Sequence, residues 1–118
     1  MEKNKIYLDK EELVRIDFSG HLTYDDVKQL LRKVEELAAR SGEPLKILCD
    51  MSGLESDSVG ARIATAEAAK SPAWAKIAFT GADKFLRITI GWIIKGAGVE
   101  PRAQCFDSEK EAKTWLRS

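Results

Sequence analysis

Cysteine is scarce in this sequence: Cys49 and Cys105 are the only two among 118 residues. They lie in "LKILCD" and "RAQCF", strand-like apolar runs without CxxC spacing, so a metal or redox site is not indicated. A free cysteine in such a run behaves as a small core hydrophobe. Histidine occurs once, at His21, and GxGxxG, P-loop and HExxH patterns are all missing. An excess of one charge is also lacking. Lys+Arg and Asp+Glu both number 19, the formal net charge is zero, and no block of like charge suggests a nucleic-acid-binding face. No apolar run approaches the ~18 residues of a membrane span. The N-terminal "MEKNKIYLDKEE" has no apolar signal core, which points to a cytoplasmic protein. No metal or cofactor is expected.

What remains is an ordinary globular composition, 44% apolar and 32% charged. The length suits one domain over residues 1–118. "IYLDKEELVRIDFSG" reads as a hairpin, since Val14, Ile16 and Phe18 alternate with Arg15, Asp17 and Ser19 and Gly20 ends the arm. Thr23 is a candidate N-cap, with Asp25 and Asp26 in the first turn of a helix over roughly residues 24–40. Val27, Leu30, Leu31, Val34 and Leu37 form its apolar stripe, and Ser41-Gly42 with Pro44 stops it. "LKILC" predicts a strand covered on both faces. A polar turn from Asp50 to Ser58 follows, then a helix from about Ser58 to Lys70 that "SPAW" breaks. "AKIAFTG" is a further strand, "ADKFLRITIGWIIKGAG" a further helix and "RAQCF" the last strand. Ser108 and Glu111 form a capping box for a terminal helix with Ala112, Trp115 and Leu116 inside. The order β-β-α-β-α-β-α-β-α predicts an α/β fold: a mixed five-stranded sheet, antiparallel at its N-terminal hairpin and parallel thereafter, with four helices.

In open α/β sheets, sites form beyond the C-terminal ends of parallel strands. That rule gathers Ser19-Gly20-His21, Asp50 to Ser58, Thr80-Gly81-Asp83 and Asp107-Ser108 on one rim. Ser58, His21 and either Asp57 or Asp50 have the residue types for acyl transfer, but the G-x-S-x-G elbow is missing, so an enzyme is not expected. Ser58 at a helix N-terminus suits an anion or a phosphate switch. A plain cap is the commoner role for a serine in that position.

"CDMSGLESDSVGARIA" resembles the signature of the STAS domain, the fold of anti-sigma factor antagonists, in which a D-x-S after a strand leads to D-S-S-G at a helix start. Asp50, Ser52, Gly53 and Leu54 match the first half, and Asp57, Ser58 and Gly60 the second. "FSGHLTYDDV", "KIAFTGADKFLR" and "CFDSEKEAKTWL" are similar to the SpoIIAA-like branch, whose fold is also compared with CRAL-TRIO lipid-binding domains. The resemblance implies a non-enzymatic domain that binds a protein partner or itself through the Asp50–Gly60 turn and the two helices that follow, with Asp50, Ser52, Asp57, Ser58 and Gly60 in the recognition turn and His21 beside it on the rim. It places Val59, which has no hydroxyl, at the position of the family's phosphoserine, and this argues against a phosphate switch.

The helix "FLRITIGWIIK" is apolar on more than one side. Phe85, Ile88 and Trp92 share one stripe, while Leu86, Ile90, Ile93 and Ile94 spread over others. Its second face needs a neighbouring helix, a second subunit, an apolar ligand or a membrane surface. The preceding helix is alanine-rich, leaving room for a slot lined by Ile63, Phe85, Trp92 and Ile93 that would suit an acyl chain. Ile88 belongs to the same surface. Trp74, placed in a loop after Pro72, would line its entrance or close the core. Binding of a lipid or other small apolar molecule is thus the alternative to a protein partner or homodimer.

Overall fold

A computed structural model describes residues 3–118. The strands are β1 (Lys5–Leu8), β2 (Val14–Leu22), β3 (Leu45–Asp57), β4 (Trp74–Thr80) and β5 (Ala103–Cys105). The helices are α1 (Tyr24–Ser41), α2 (Val59–Ala68), α3 (Lys84–Ala97) and α4 (Glu109–Arg117), with a short 3-10 turn over Glu100–Arg102. The strands lie side by side in chain order, β1 antiparallel to β2 and every later pair parallel. This is the mixed five-stranded architecture that the alternation of strands and helices implies.

Each helix begins on a side chain that answers its unpaired N–H groups. Thr23 Oγ1 accepts from the Asp26 N–H, and the Asp26 carboxylate accepts from the Thr23 N–H at 3.0 Å, closing a capping box. Ser58, Asp83 and Ser108 cap α2, α3 and α4. At α4 the Glu111 N–H donates to Ser108 Oγ, while the Ser108 hydroxyl lies 3.2 Å from the Glu111 carboxylate.

The strands alternate their side chains between two differently covered faces. Val14, Ile16, Ile47, Cys49, Met51 and Trp74 face α1 and α3, where Leu30, Val34, Ile90 and Ile94 complete the main core. Leu13, Leu48 and Ala78 face the other way, against Ala112 and Leu116 of α4. Phe106 and Trp115 extend that second layer, ring centroids 5.3 Å apart. Cys49 is buried, which drives its thiol far above the ordinary range, whereas Cys105 is only half-buried.

Two expectations need correction. The first concerns the polar stretch after "LKILC". It is not a turn: β3 continues to Asp57, and β2 runs through Gly20 to Leu22 beside it. Asp17 pairs with Asp50, Ser19 with Gly53, Gly20 with Leu54 and His21 with Ser56. From Asp17 to Ser19 and again from Gly20 to His21, β3 therefore advances one residue more than β2. Two bulges result. They turn Met51, Leu54 and Asp57 inward at every third position, which hides the period of two. At the first bulge, a Cβ on Gly53 would stand 2.6 Å from the Phe18 carbonyl oxygen, so only glycine fits.

The second correction is Trp74, which opens β4 instead of lying in a loop. It is buried, its indole N–H donates to the Ala68 carbonyl at 3.1 Å, and the Arg102 guanidinium stacks 4.2 Å from its ring centroid.

Candidate functional site

The C-terminal ends of the parallel strands do lie on one side of the sheet, but β2 and β3 outrun β4. Thr80, the last residue of β4, pairs with Asp50, so the rest of β3 continues with β2 as a two-stranded ribbon. Counted along β2, from Asp17 to His21 at ~3.3 Å per residue, the ribbon carries Ser56 ~13 Å beyond Asp50. The expected rim is thus divided into a sheet end and a ribbon tip.

At the sheet end, Asp50 Oδ1 accepts from the Ser52 N–H at 3.0 Å and from its hydroxyl at 2.7 Å. Asp83 is occupied as the α3 cap, and Asp107 binds Arg87 at 2.7 Å. These polar groups satisfy each other and the chain ends around them.

The ribbon tip gathers the remaining predicted residues. His21 Nδ1 is 2.7 Å from Ser56 Oγ, not from Ser58 as the acyl-transfer arrangement required. Ser58 Oγ accepts from the Ala61 N–H at 3.0 Å, and the Ser58 N–H donates to Leu22 O. Asp57 holds Arg62 through two contacts, Nε to Oδ2 at 2.9 Å and Nη2 to Oδ1 at 3.3 Å, and this raises the Arg62 pKa further above its usual value. Gly60 lies where a Cβ would come 3.2 Å from that of Tyr24, so its small size lets the start of α2 approach α1. Val59, the first residue of α2, is largely exposed. Among the described residues no group of three or more His, Cys, Asp or Glu could hold a metal ion.

The apolar residues divide as well. Phe85 is 81% exposed and Trp92 73%, and Ile88 lies between them on the outer side of α3. Ile63 and Val59 are exposed on α2. Beneath these helices lies a cavity of about 150 Å³, walled by the sheet and by α1, α2 and α3. Trp74 and Ile93 line it. Ile63, Phe85 and Trp92, expected in the slot, point outward, because α2 and α3 turn Ala68, Ala69, Leu86, Ile90 and Ile93 toward the sheet.

A family model for SpoIIAA-like proteins matches residues 13–117. The chain belongs to the SpoIIAA-like family. Three solved structures carry the same architecture. One is a protein of the DUF3478 family with a SpoIIAA-like fold from Shewanella loihica PV-4, at 19% identity and TM-score 0.67, covering 96% of this chain and 91% of its own. The anti-sigma factor antagonist SpoIIAA in its unphosphorylated form aligns at 14% identity and TM-score 0.67, covering 98% of both chains. The phosphorylated form of SpoIIAA, described as a Bacillus cell fate determinant, aligns at 19% identity and TM-score 0.61, covering 97% and 99%. Identities this low speak for the fold. No curated protein sequence matches this SpoIIAA-like chain. No helix among its described residues is long and apolar enough to cross a membrane.

Sequence reasoning missed three residues of this candidate site: Ser56, Val59 as an exposed apolar group, and Arg62. Arg62 had a legible signal, a cation one helical turn inside a helix that begins just after Asp57. Ser56 had none, since its pairing with His21 depends on both bulges.

Proposed function

We propose that this chain is a non-enzymatic interaction domain that binds a protein partner through the outer side of α2 and α3, continuing over the α2 start to the ribbon tip. The observation that carries this reading is the exposure of Val59, Ile63, Phe85, Ile88 and Trp92 on two adjacent helices. Large aromatic side chains left in water on a well-formed helix have no folding role, and Trp is the residue type most enriched at binding hot spots. His21, Ser56 and the Asp57–Arg62 pair would form the polar rim. The anti-sigma factor antagonist among its structural relatives supports a protein over a nucleic acid as the partner. Regulation through a phosphate at the start of α2 does not fit, because Val59 has no hydroxyl and Ser58 Oγ holds the cap.

The test compares wild type with Phe85→Ser and Trp92→Ser in proximity cross-linking, followed by reconstitution of the captured complex from purified components. Loss of the complex with an unchanged melting temperature supports the surface. A complex that survives both substitutions overturns it, and sedimentation of the wild-type chain as a dimer would make the partner a second copy.

A second reading rests on the cavity. A partly open space walled by apolar side chains suits a small apolar molecule, the alternative that the alanine-rich α2 suggests.

A further inference from the structure

The size and wall chemistry of the cavity restrict what can enter it. At about 150 Å³ it equals an engineered apolar cavity in another protein that stays dry and binds benzene or xenon. A long acyl chain cannot be buried whole in such a space. Among the described residues only two in the wall carry charge, Asp57 and Arg62, and they hold each other through two contacts. The two wall threonines direct their hydroxyls into their own helices, Thr65 to Ala61 O at 2.8 Å and Thr89 to Phe85 O at 3.3 Å. A charged head group would lose its hydration and find its only cationic partner already taken. The part of a ligand that enters the cavity is therefore neutral.

The wall also indicates where the entrance lies. Arg62 is its one exposed member, its side chain half in solvent, while the other wall residues are buried or half-buried. The Asp57–Arg62 pair therefore marks one place where the cavity wall reaches water. From this geometry we infer that the cavity takes a neutral molecule with the bulk of one six-membered ring, and that the Asp57–Arg62 pair closes its mouth. This inference rests on the second reading above and narrows it to a size and a charge.

The experiment uses the full chain with fluorobenzene, hexanoate and palmitate as probes, followed by 19F NMR for the first and by competition or thermal shift for the acids. Saturable fluorobenzene binding with a Kd of about 1 mM or tighter is expected. Ala68→Leu, which fills the wall, should weaken it at least about tenfold. Should that variant fail to fold, xenon pressurisation of wild-type crystals replaces it, and a xenon peak among Ile47, Ile90 and Ile93 is expected. Arg62→Ala should speed ligand exchange by about threefold or more. Palmitate binding without fluorobenzene binding overturns the size and charge assignment while leaving the apolar-ligand reading standing. No binding of any probe together with a cavity empty of xenon overturns both. Exchange rates unaltered by Arg62→Ala overturn the mouth.

Discussion

His21 and Ser56 face each other across the β2–β3 ribbon, Nδ1 to Oγ at 2.7 Å. The pair resembles a base with its nucleophile, yet the aspartate nearest in sequence does not complete it. Asp57 pairs in register with Leu22 and is held by Arg62. An exposed hydrogen bond of this kind contributes little, so Ser56→Ala should change unfolding free energy by less than ~0.5 kcal/mol. Hydrolysis of p-nitrophenyl acetate should be equal for wild type, Ser56→Ala and His21→Ala. Turnover that disappears in both variants would make the pair catalytic.

Ser58 does measurable structural work at the start of α2. Ser58→Ala strips the Ala61 N–H of its partner and should cost about 0.5–2 kcal/mol in urea denaturation. Ser58→Asp keeps an acceptor at the cap and adds a charge that suits the helix dipole, so it should retain most of the wild-type stability. Equal losses in the two variants would contradict the capping account.

Asp26 links the start of α1 to the N-terminal segment. Burial pushes its carboxyl upward, but Lys3 at 2.8 Å and the Thr23 N–H outweigh that effect and leave it below its ordinary value of 3.8. A depressed folded-state pKa contributes stability that is fully present above the unfolded value and is lost as pH falls through the folded one. The stability gap between wild type and Asp26→Asn should therefore be widest near neutral pH and shrink below about pH 4. A gap that is constant with pH would place the contribution in the hydrogen bonds alone.

Leu116 anchors α4, the only helix among the described residues on the second face of the sheet. It is fully buried against Leu48 and Ala78. Leu116→Ala should cost about 2–5 kcal/mol, measured by urea denaturation. Hydrogen exchange should rise first in α4, leaving α1 and α3 protected. Uniform loss of protection would mean that the two faces unfold as one unit.

The order of strands and helices was legible because most of the helices carry their own start signal in the sequence. Thr23, Ser58 and Ser108 mark three of the four beginnings, and local chemistry of this kind needs no tertiary context. The end of β3 was not legible. Ser52, Gly53 and Ser56 are turn-forming types, and with two extra residues in the strand its inward positions recur every third residue instead of every second. Trp74 was misplaced for a related reason: Pro72 signals a break, while the Ala68 carbonyl that orders the indole comes from the helix before it.

The candidate site was half legible. Periodicity put Phe85, Ile88 and Trp92 on a common stripe of α3, but a helix with apolar residues on several sides gives no sign of which side meets the sheet. That choice is made by the neighbours. Ile90 and Ile94 fill the space over β4 and β5, and the aromatic stripe is left outside.

The doubled bulge also bears on how this chain tolerates changes in length. Around Ile47 to Cys49, losing one residue would turn the next buried side chain out to the opposite layer. Between Asp50 and Asp57 the strand already carries slack, and a one-residue deletion there could be taken up by straightening one bulge. Lineages of this protein would then vary in length along the ribbon, shifting the pitch at which α2 is launched while the sheet beneath stays in step.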